Sequence, residues 1–162
     1  MDAYKIYFDW TNPAGFSELT IRGSKAYCNT SKPKYIYAVG NIKLLPDNQY
    51  YWEIMLDNGV NFKIGVIRAS ASMNRDLEIK EAYTLSSRGF IQSAVFEKGD
   101  DTQNRYCAGD KVGVFFDSEK GTITYFLNEK RLGTFFMSQL IKTEVFYPVV
   151  CMLTEGELIS VL

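Results

Sequence analysis

The alternation of apolar and polar residues in short runs is the feature that most constrains this fold. Trp52, Ile54 and Leu56 lie two residues apart in one such run, and Glu53 and Met55 occupy the positions between them. Successive side chains of a strand point to opposite faces, so Trp52 is expected in the core. Similar runs recur along the chain, separated by Gly, Pro, Asn or Asp roughly every eight to twelve residues. This spacing is typical of an all-β sandwich or barrel.

Asn58-Gly59 is the clearest turn signal in the sequence. The dipeptide is favoured in two-residue type I′ turns, where both central residues need a positive φ. The run from Tyr50 to Leu56 is therefore predicted to form a hairpin with a strand from Val60 to Ile67.

A second hairpin is predicted over Gly109–Asn128. Val112, Val114 and Phe116 alternate toward the core, and a charged turn at residues 118–121 ends in glycine. Further strands are predicted at Tyr4–Phe8, Glu18–Arg22, Tyr35–Val39, Ile42–Leu45, Leu132–Phe136 and Phe146–Leu153, with a turn at Asn128–Arg131. Little or no helix is expected, because Met73–Glu81 has some helical character but is too short to be stable alone.

Length and composition fit one domain. A chain of 162 residues with 46% hydrophobic content can close one sizeable core, burying roughly two-thirds of the surface of the unfolded chain. The sequence shows no repeat, linker or low-complexity tract. A single domain over residues 1–162 is therefore expected.

The balance of charge argues against nucleic acid and membrane partners. The formal net charge is −1, which gives no long-range field to attract nucleic acid or anionic lipid. The pairs Lys34-Tyr35 and Arg105-Tyr106 are too isolated to form a platform for single-stranded nucleic acid. No run is long and apolar enough for a membrane span, and no secretory signal opens the chain, so a cytoplasmic location is expected.

The chain contains no histidine, which excludes histidine-based triads and zinc sites. Glu53 and Asp57 share one strand face, but their backbones should lie about 13 Å apart, beyond the carboxyl separations of glycosidases. Both are interpreted as solvated charges on the outer face of the strand.

Metal and disulfide chemistry are not indicated either. Asp100–Asn104 lacks the spacing of a calcium loop. Cys28, Cys107 and Cys151 are an odd number, far apart in sequence, and are expected to be reduced and mostly buried. No metal and no cofactor are predicted.

Three stretches in order resemble a SPRY domain of the PRY-SPRY superfamily: "YYWEIMLDNGVNFKIGVI", "GDKVGVFFDSEKGTITYFLNEKRLGTFF" and "FYPVVCML". The motifs that carry the resemblance are Tyr51-Trp52-Glu53, the stretch Gly109–Glu119, and Phe146-Tyr147-Pro148. The resemblance covers about residues 50–153. Residues 1–49 resemble only a degenerate PRY-like segment, because the Leu-Asp-Pro motif of the full form is absent.

The resemblance implies an antiparallel β-sandwich of two sheets, of the concanavalin-like jelly-roll type. It also implies a module without catalytic activity, which binds a short peptide or a folded protein through loops at one end of the sandwich. Such modules act as scaffolds or adaptors and as substrate receptors of ubiquitin ligases. The hairpin at Gly109–Asn128 and Trp52 would then be framework.

Comparison with the SOCS-box adaptors of this superfamily indicates where the partner-binding residues would lie. The positions that match, or that could supply arginine donors to a ligand carboxylate or carbonyl, are Arg68, Arg75, Tyr83, Arg88, Gln92, Arg105, Leu153, Thr154 and Glu155. The adaptors have Trp-Gly where Thr154-Glu155 stand here, so their acidic, Asn-rich peptide is not assumed as the ligand.

Two alternatives stay open at this point. A β-sandwich lectin would place an exposed aromatic residue beside Asn, Asp or Arg on a concave sheet face. A carboxylate enzyme would need two acids that the fold brings together despite their separation in sequence.

Overall fold

The computed structural model describes residues 4–31, 34–75, 81–93, 97–98 and 104–162, and these residues form two antiparallel sheets that pack face to face. In spatial order, the first sheet comprises β12 (Lys130–Met137), β11 (Thr122–Leu127), β10 (Lys111–Asp117), β5 (Gln49–Asn58), β14 (Leu158–Val161), β3 (Lys25–Cys28) and β2 (Leu19–Arg22). The second sheet comprises β1 (Trp10–Thr11), β4 (Ile36–Gly40), β13 (Phe146–Met152), β6 (Phe62–Arg68), β7 (Ala82–Ser86), β8 (Ile91–Gln92) and β9 (Glu97–Lys98). The predicted all-β sandwich is confirmed.

The core lies between the sheets and follows the predicted alternation. Trp52 is fully buried, pairs with Val114 of β10, and contacts the ring of Phe8 at 6.2 Å between centroids. The predicted hairpin of β10 and β11 is also confirmed, with Phe116 opposite Ile123. Apolar side chains from neighbouring strands thus meet in one continuous interior.

The predicted hairpin at Asn58-Gly59 is wrong. The strands on either side, β5 and β6, belong to different sheets, and Asn58 does not have a positive φ, although Gly59 does (122°). The strand β5 is already paired with β10 on one side and β14 on the other, so no edge is free for β6. The chain therefore crosses from one sheet to the other as an arch.

The type I′ geometry occurs instead at Asn128 and Glu129. These residues have φ values of 50° and 71°, and they join β11 to β12 with Leu127 opposite Lys130. The predicted turn at Asn128–Arg131 is confirmed, and the predicted strand Leu132–Phe136 lies within β12.

The N-terminal third departs most from the prediction. Tyr4–Phe8 is not a strand and makes only a bridge between Lys5 and Tyr51. This segment continues along β5 where β14 stops, and the Ile6 N–H donates to the Tyr51 carbonyl at 2.7 Å. Ile42–Leu45 likewise forms a single bridge, from Leu44 to Phe146. The strands β1, β3 and β14, each two to four residues long, were not predicted, whereas β2, also four residues long, lies within the predicted strand Glu18–Arg22.

Within the described ranges, the only α-helix is α1 (Gln139–Thr143), which Ser138 caps by accepting the Leu140 N–H. Of the segment Met73–Glu81, whose sequence has some helical character, residues 76–80 lie outside the described residues, and residues 73–75 are not helical. A search of the described part of the chain finds no helix with the length and apolar character to span a membrane.

Candidate functional site

The described parts of five connections cross between the two sheets at the same end of the sandwich, which we call the arch end. They are residues 12–18, 29–31 with 34–35, 59–61, 104–110 and 153–157. The strand pairing places them together, because Asn58 lies opposite Leu158 in the first sheet and Phe62 lies opposite Met152 in the second. The turn at residues 87–90 is at this end as well, since Ser86 pairs with Lys63.

Glu157 links two of these connections through its buried carboxylate. One oxygen accepts the N–H groups of Leu153 and Thr154, both at 2.7 Å. The other accepts those of Val60 and Asn61, at 3.0 and 2.5 Å. Glu157 is fully buried, and four N–H donors compensate the cost of burying its charge. The carboxylate therefore fixes residues 60–61 and 153–154 relative to each other.

Gly59 is required beside this carboxylate. Its φ of 122° is rarely adopted by other residues, and a Cβ atom would lie 2.5 Å from Cγ of Glu157. The glycine of the Asn-Gly pair thus makes room for Glu157 rather than forming a hairpin.

Further hydrogen bonds hold residues 153–157 from both sides. The Asn61 side-chain amide donates to the Thr154 hydroxyl at 2.8 Å, and the Asn58 amide donates to the Gly156 carbonyl at 2.8 Å. On the other side, the Glu155 N–H donates to the Ser31 hydroxyl at 2.9 Å. The backbone of this connection is therefore well determined, while the Glu155 side chain remains exposed.

A basic and aromatic cluster lies next to these connections. The Lys63 ammonium stands 4.6 Å from the centroid of the Tyr35 ring. Burial raises the pKa of Tyr35, and the nearby Arg88 guanidinium acts in the opposite direction. Arg88 is exposed, so it offers charge-assisted donors to a ligand.

Ser87 and Tyr106 position two of the predicted arginines. The Ser87 hydroxyl donates to the Val60 carbonyl at 2.8 Å, which fixes the turn that presents Arg88. Tyr106 is buried, and its N–H donates to the Ser87 carbonyl at 3.1 Å. Arg105 precedes Tyr106 and is exposed, so it lies beside the same turn.

Arg75 reaches the arch end from the connection after β6. Its guanidinium pairs with Glu18 at 3.1 Å and lies 5.8 Å from the centroid of the Phe16 ring. The Glu18 carbonyl accepts the N–H of Asn29, which follows β3, and this places the pair at the arch end.

The other predicted binding residues lie elsewhere. Arg68 is at the opposite end of β6 and pairs with Glu81 and Glu144, at 3.1 and 2.8 Å. Tyr83 is buried in the core, and its hydroxyl donates to Ser138 at 3.0 Å. Gln92 pairs with Thr84 within the second sheet. The structure thus brings together Arg75, Arg88, Arg105, Leu153, Thr154 and Glu155, and it separates Arg68, Tyr83 and Gln92 from them.

The carboxylates considered for catalysis occupy another surface, on the solvent face of the first sheet. The expectation that Glu53 is solvated is wrong: it is 7% exposed and accepts hydrogen bonds from Lys5 at 2.7 Å and Tyr51 at 3.0 Å. Lys111 lies 3.3 Å from the same carboxylate. Asp57 accepts a hydrogen bond from Ser160.

The pKa of Glu53 reflects these partners. Burial by itself raises the pKa of this carboxyl, but hydrogen bonds from Lys5, Tyr51 and Lys111 outweigh burial and leave it below the ordinary value. A carboxylate held in its charged form by two lysines is a stable ion-pair centre rather than a general acid.

Among the described residues, no group of three or more Cys, Asp or Glu side chains is arranged to hold a metal ion. Most of the Asp100–Asn104 segment considered for calcium lies outside the described residues. The three cysteines are free; Cys28 and Cys151 are buried as expected, whereas Cys107 is exposed. Burial raises the pKa of Cys151 to about 12.

A model of the SPRY domain family matches residues 49–161, which is more than half of the chain. Among curated proteins, the chain is similar to SPRY domain-containing SOCS box protein 3 of Xenopus laevis, with 24% identity over 166 residues. The Xenopus tropicalis protein of the same name is 22% identical over 166 residues. Each alignment covers 90% of this chain and 43% of the relative, so the chain spans less than half the length of these proteins.

Solved structures show the same fold at low sequence identity. The TRIM65 PSpry domain has a TM-score of 0.76 at 10% identity, covering 99% of this chain and 91% of that one. A human SPRY domain has a TM-score of 0.70 at 17% identity, covering 91% and 96%. The SPRY domain of human HERC1 has a TM-score of 0.68 at 15% identity, covering 85% and 87%.

Proposed function

Because this chain belongs to the SPRY domain family, we propose that it is a protein-interaction module without catalytic activity, and that it binds a peptide or a folded partner through the arch end. The observation that carries the proposal is the linkage of two connections by Glu157. A carboxylate with four backbone N–H donors holds loops from both sheets in one arrangement. Such preorganisation lowers the entropic cost of binding.

The exposed side chains around Glu157 set the chemistry of recognition. Arg88 and Arg105 are exposed at the same end of the sandwich as residues 153–155. Arginine donates paired hydrogen bonds to a carboxylate or to backbone carbonyls. Leu153 and Thr154, in the connection between β13 and β14, are half-buried. Leu153 supplies an apolar contact and Thr154 a polar one. We infer that the partner presents carbonyl or carboxylate oxygens to this surface.

A role as the substrate-recognition part of a larger protein deepens this proposal. The curated relatives carry "SOCS box" in their names, and the chain matches only part of their length. Of the functions of such a larger protein, we propose only partner recognition for this chain. The Trp-Gly of the related adaptors is replaced by Thr154-Glu155, so we expect a partner with a different sequence preference.

An affinity capture from cell extract tests the proposal. The wild-type chain is compared with Arg88→Glu, which reverses one exposed charge at the arch end. Lys120→Glu is the matched control, because Lys120 is also exposed but lies in the turn 118–121 at the opposite end. Thermal melts of all variants come first, because surface substitutions of this kind should change stability by less than about 0.5 kcal/mol.

A partner retained by the wild type and by Lys120→Glu but lost by Arg88→Glu supports the proposal. Binding of the purified partner should then weaken at least about tenfold in Arg88→Glu, the effect expected for a central arginine. Equal retention by both variants would move the interaction away from the arch end.

A further inference from the structure

A shallow cavity of about 390 Å³ lies on the solvent face of β2, β3 and β14. It is lined by Thr20, Arg22, Lys25, Tyr27, Asn29 and Leu158. Of its lining residues only Asn29 belongs to an arch-end connection, and none is a residue through which the proposed function binds its partner. Ala26 and Cys28 alternate with these residues along β3 and are fully buried, so Lys25 and Tyr27 face solvent. We propose that this cavity binds an acidic saccharide, meaning a sugar that carries a carboxylate or a sulfate.

Tyr27 provides the stacking surface. Its side chain is 38% exposed, and no hydrogen bond engages its hydroxyl among the residues that the structure describes. Leu158 lies opposite Tyr27 on β14 and is half-buried. The C–H face of a sugar ring packs on an exposed aromatic ring, and the tyrosine hydroxyl can bond to a sugar hydroxyl.

Arg22 and Lys25 give the cavity its preference for an anion. They lie opposite each other across the turn between β2 and β3. In the described part of the chain, no hydrogen bond or ion pair engages the Arg22 guanidinium. The Lys25 ammonium donates to Ser160 at 3.0 Å and has further N–H groups to offer. No carboxylate stands among the lining residues, so a ligand anion would meet two cations.

Thr20 and Asn29 make the cavity suited to hydroxyl groups as well. The Thr20 hydroxyl donates to the Asn29 side-chain oxygen at 2.6 Å, and the Asn29 amide donates to the Ser17 carbonyl at 3.2 Å. The Thr20 oxygen keeps its lone pairs for a ligand donor. Acceptors beside donors fit a saccharide better than an inorganic anion, which needs donors only.

The edge of the sheet argues against an added peptide strand. The strand β2 is the outermost strand of its sheet, and an extended peptide could in principle pair with such an edge. However, the Leu19 N–H donates to Phe16 at 3.3 Å, and the Gly23 carbonyl accepts from Trp10 at 2.9 Å. The segment 10–16 therefore occupies both ends of this edge, and recognition is left to the side chains of the sheet face.

An NMR titration of the full chain tests the proposal. The acidic probes are a hyaluronan tetrasaccharide, which carries carboxylates, and a heparin-derived tetrasaccharide, which also carries sulfates; chitotetraose is the neutral control. We expect saturable shifts centred on β2 and β3 with at least one acidic probe. Tyr27→Ala should weaken this binding at least about tenfold, whereas Tyr7→Ala, at another exposed tyrosine, should leave it unchanged.

Arg22→Gln should reduce the affinity for the acidic probe to that for chitotetraose. The absence of saturable shifts with both acidic probes, or shifts centred away from β2 and β3, would overturn the proposal. Displacement of the bound probe by a glutamate-rich peptide would assign the cavity to peptides instead. Arg88→Glu should not affect saccharide binding, so failure of this inference and failure of the proposed function are distinguishable.

Discussion

Glu53, Glu155 and Glu157 are each surrounded by polar or alternating sequence, yet their environments differ completely. Glu155 is exposed, Glu53 is buried beside two lysines, and Glu157 is buried among backbone N–H groups. Charge alone predicts exposure for all three. The partners that make burial favourable come from distant parts of the chain, so neither buried acid could be recognised from its neighbours in sequence.

Replacement of Glu157 should show how strongly it holds the arch end. Glu157→Gln leaves one carbonyl oxygen for four N–H donors and turns an amide toward two of them, so we expect a loss of about 3 kcal/mol in the free energy of unfolding. Glu155→Gln, two residues away and exposed, should change it by less than about 0.5 kcal/mol. Urea unfolding of both variants measures the difference, and equal stabilities would contradict the role given to Glu157.

The ion-pair centre at Glu53 predicts a pH dependence of stability. The folded-state pKa of Glu53 lies below the ordinary value, so its contribution is present above the pKa of the unfolded chain and is lost as pH falls through the folded-state pKa. The difference in the free energy of unfolding between wild type and Glu53→Gln should be largest above about pH 5 and shrink in more acidic solution.

Chemical denaturation of the two proteins across this pH range provides the measurement. A difference that grows as the solution becomes more acidic would contradict the lowered pKa.

At the scale of elements, two turns depart from the sequence preferences of the type I′ turn. One has the preferred residues without the turn, and the other has the turn without the preferred glycine. Asn58-Gly59 has the residues of a type I′ turn but joins two sheets, whereas Asn128-Glu129 has the geometry without the glycine. The first case follows from strand pairing: β5 already has a neighbour on each side. The second is possible because β11 and β12 pair closely enough to hold Glu129 at a positive φ.

Glu129→Gly should therefore stabilise the protein. Relief of the positive φ at this position should raise the free energy of unfolding by roughly 1 kcal/mol. The ion pair lost with Lys111 is largely exposed on the Glu129 side and should contribute little. Glu119→Gly, in the neighbouring turn and without a positive φ, is the control and should not stabilise. A lower melting temperature for Glu129→Gly than for wild type would contradict this reading of the turn.

Strand content was predictable where apolar alternation persists over several residues, as in β5, β10 and β13. It was not predicted for β1 and β3, where two to four residues give few alternations, although β2, as short as β3, was predicted. Tyr4–Phe8 shows the reverse error: its pattern suits a strand, but β14 pairs with residues 54–58 of β5, and the segment makes only a single bridge, from Lys5 to Tyr51, on the remainder of that edge.

At the scale of the whole molecule, the candidate site follows from the order in which the chain crosses between sheets. Arg88, Arg105 and Thr154 are far apart in sequence and lie at one end because the loops that carry them are on the same side of the sandwich. The resemblance to SPRY domains indicated loops at one end and candidate residues, but not which of these residues share that end. Arg68 is the last residue of β6, whereas the arch 59–61 precedes this strand at its opposite end.

Photo-cross-linking from the arch end tests the central claim most directly. A photoreactive phenylalanine derivative replaces Val60, which is 62% exposed in the connection 59–61, in one variant and Lys120 in another, and each protein is irradiated in cell extract with and without excess unmodified chain. We predict a discrete adduct from position 60 that the unmodified chain suppresses, and none from position 120. A suppressible adduct from position 120, with none from position 60, would contradict the assignment of partner binding to the arch end.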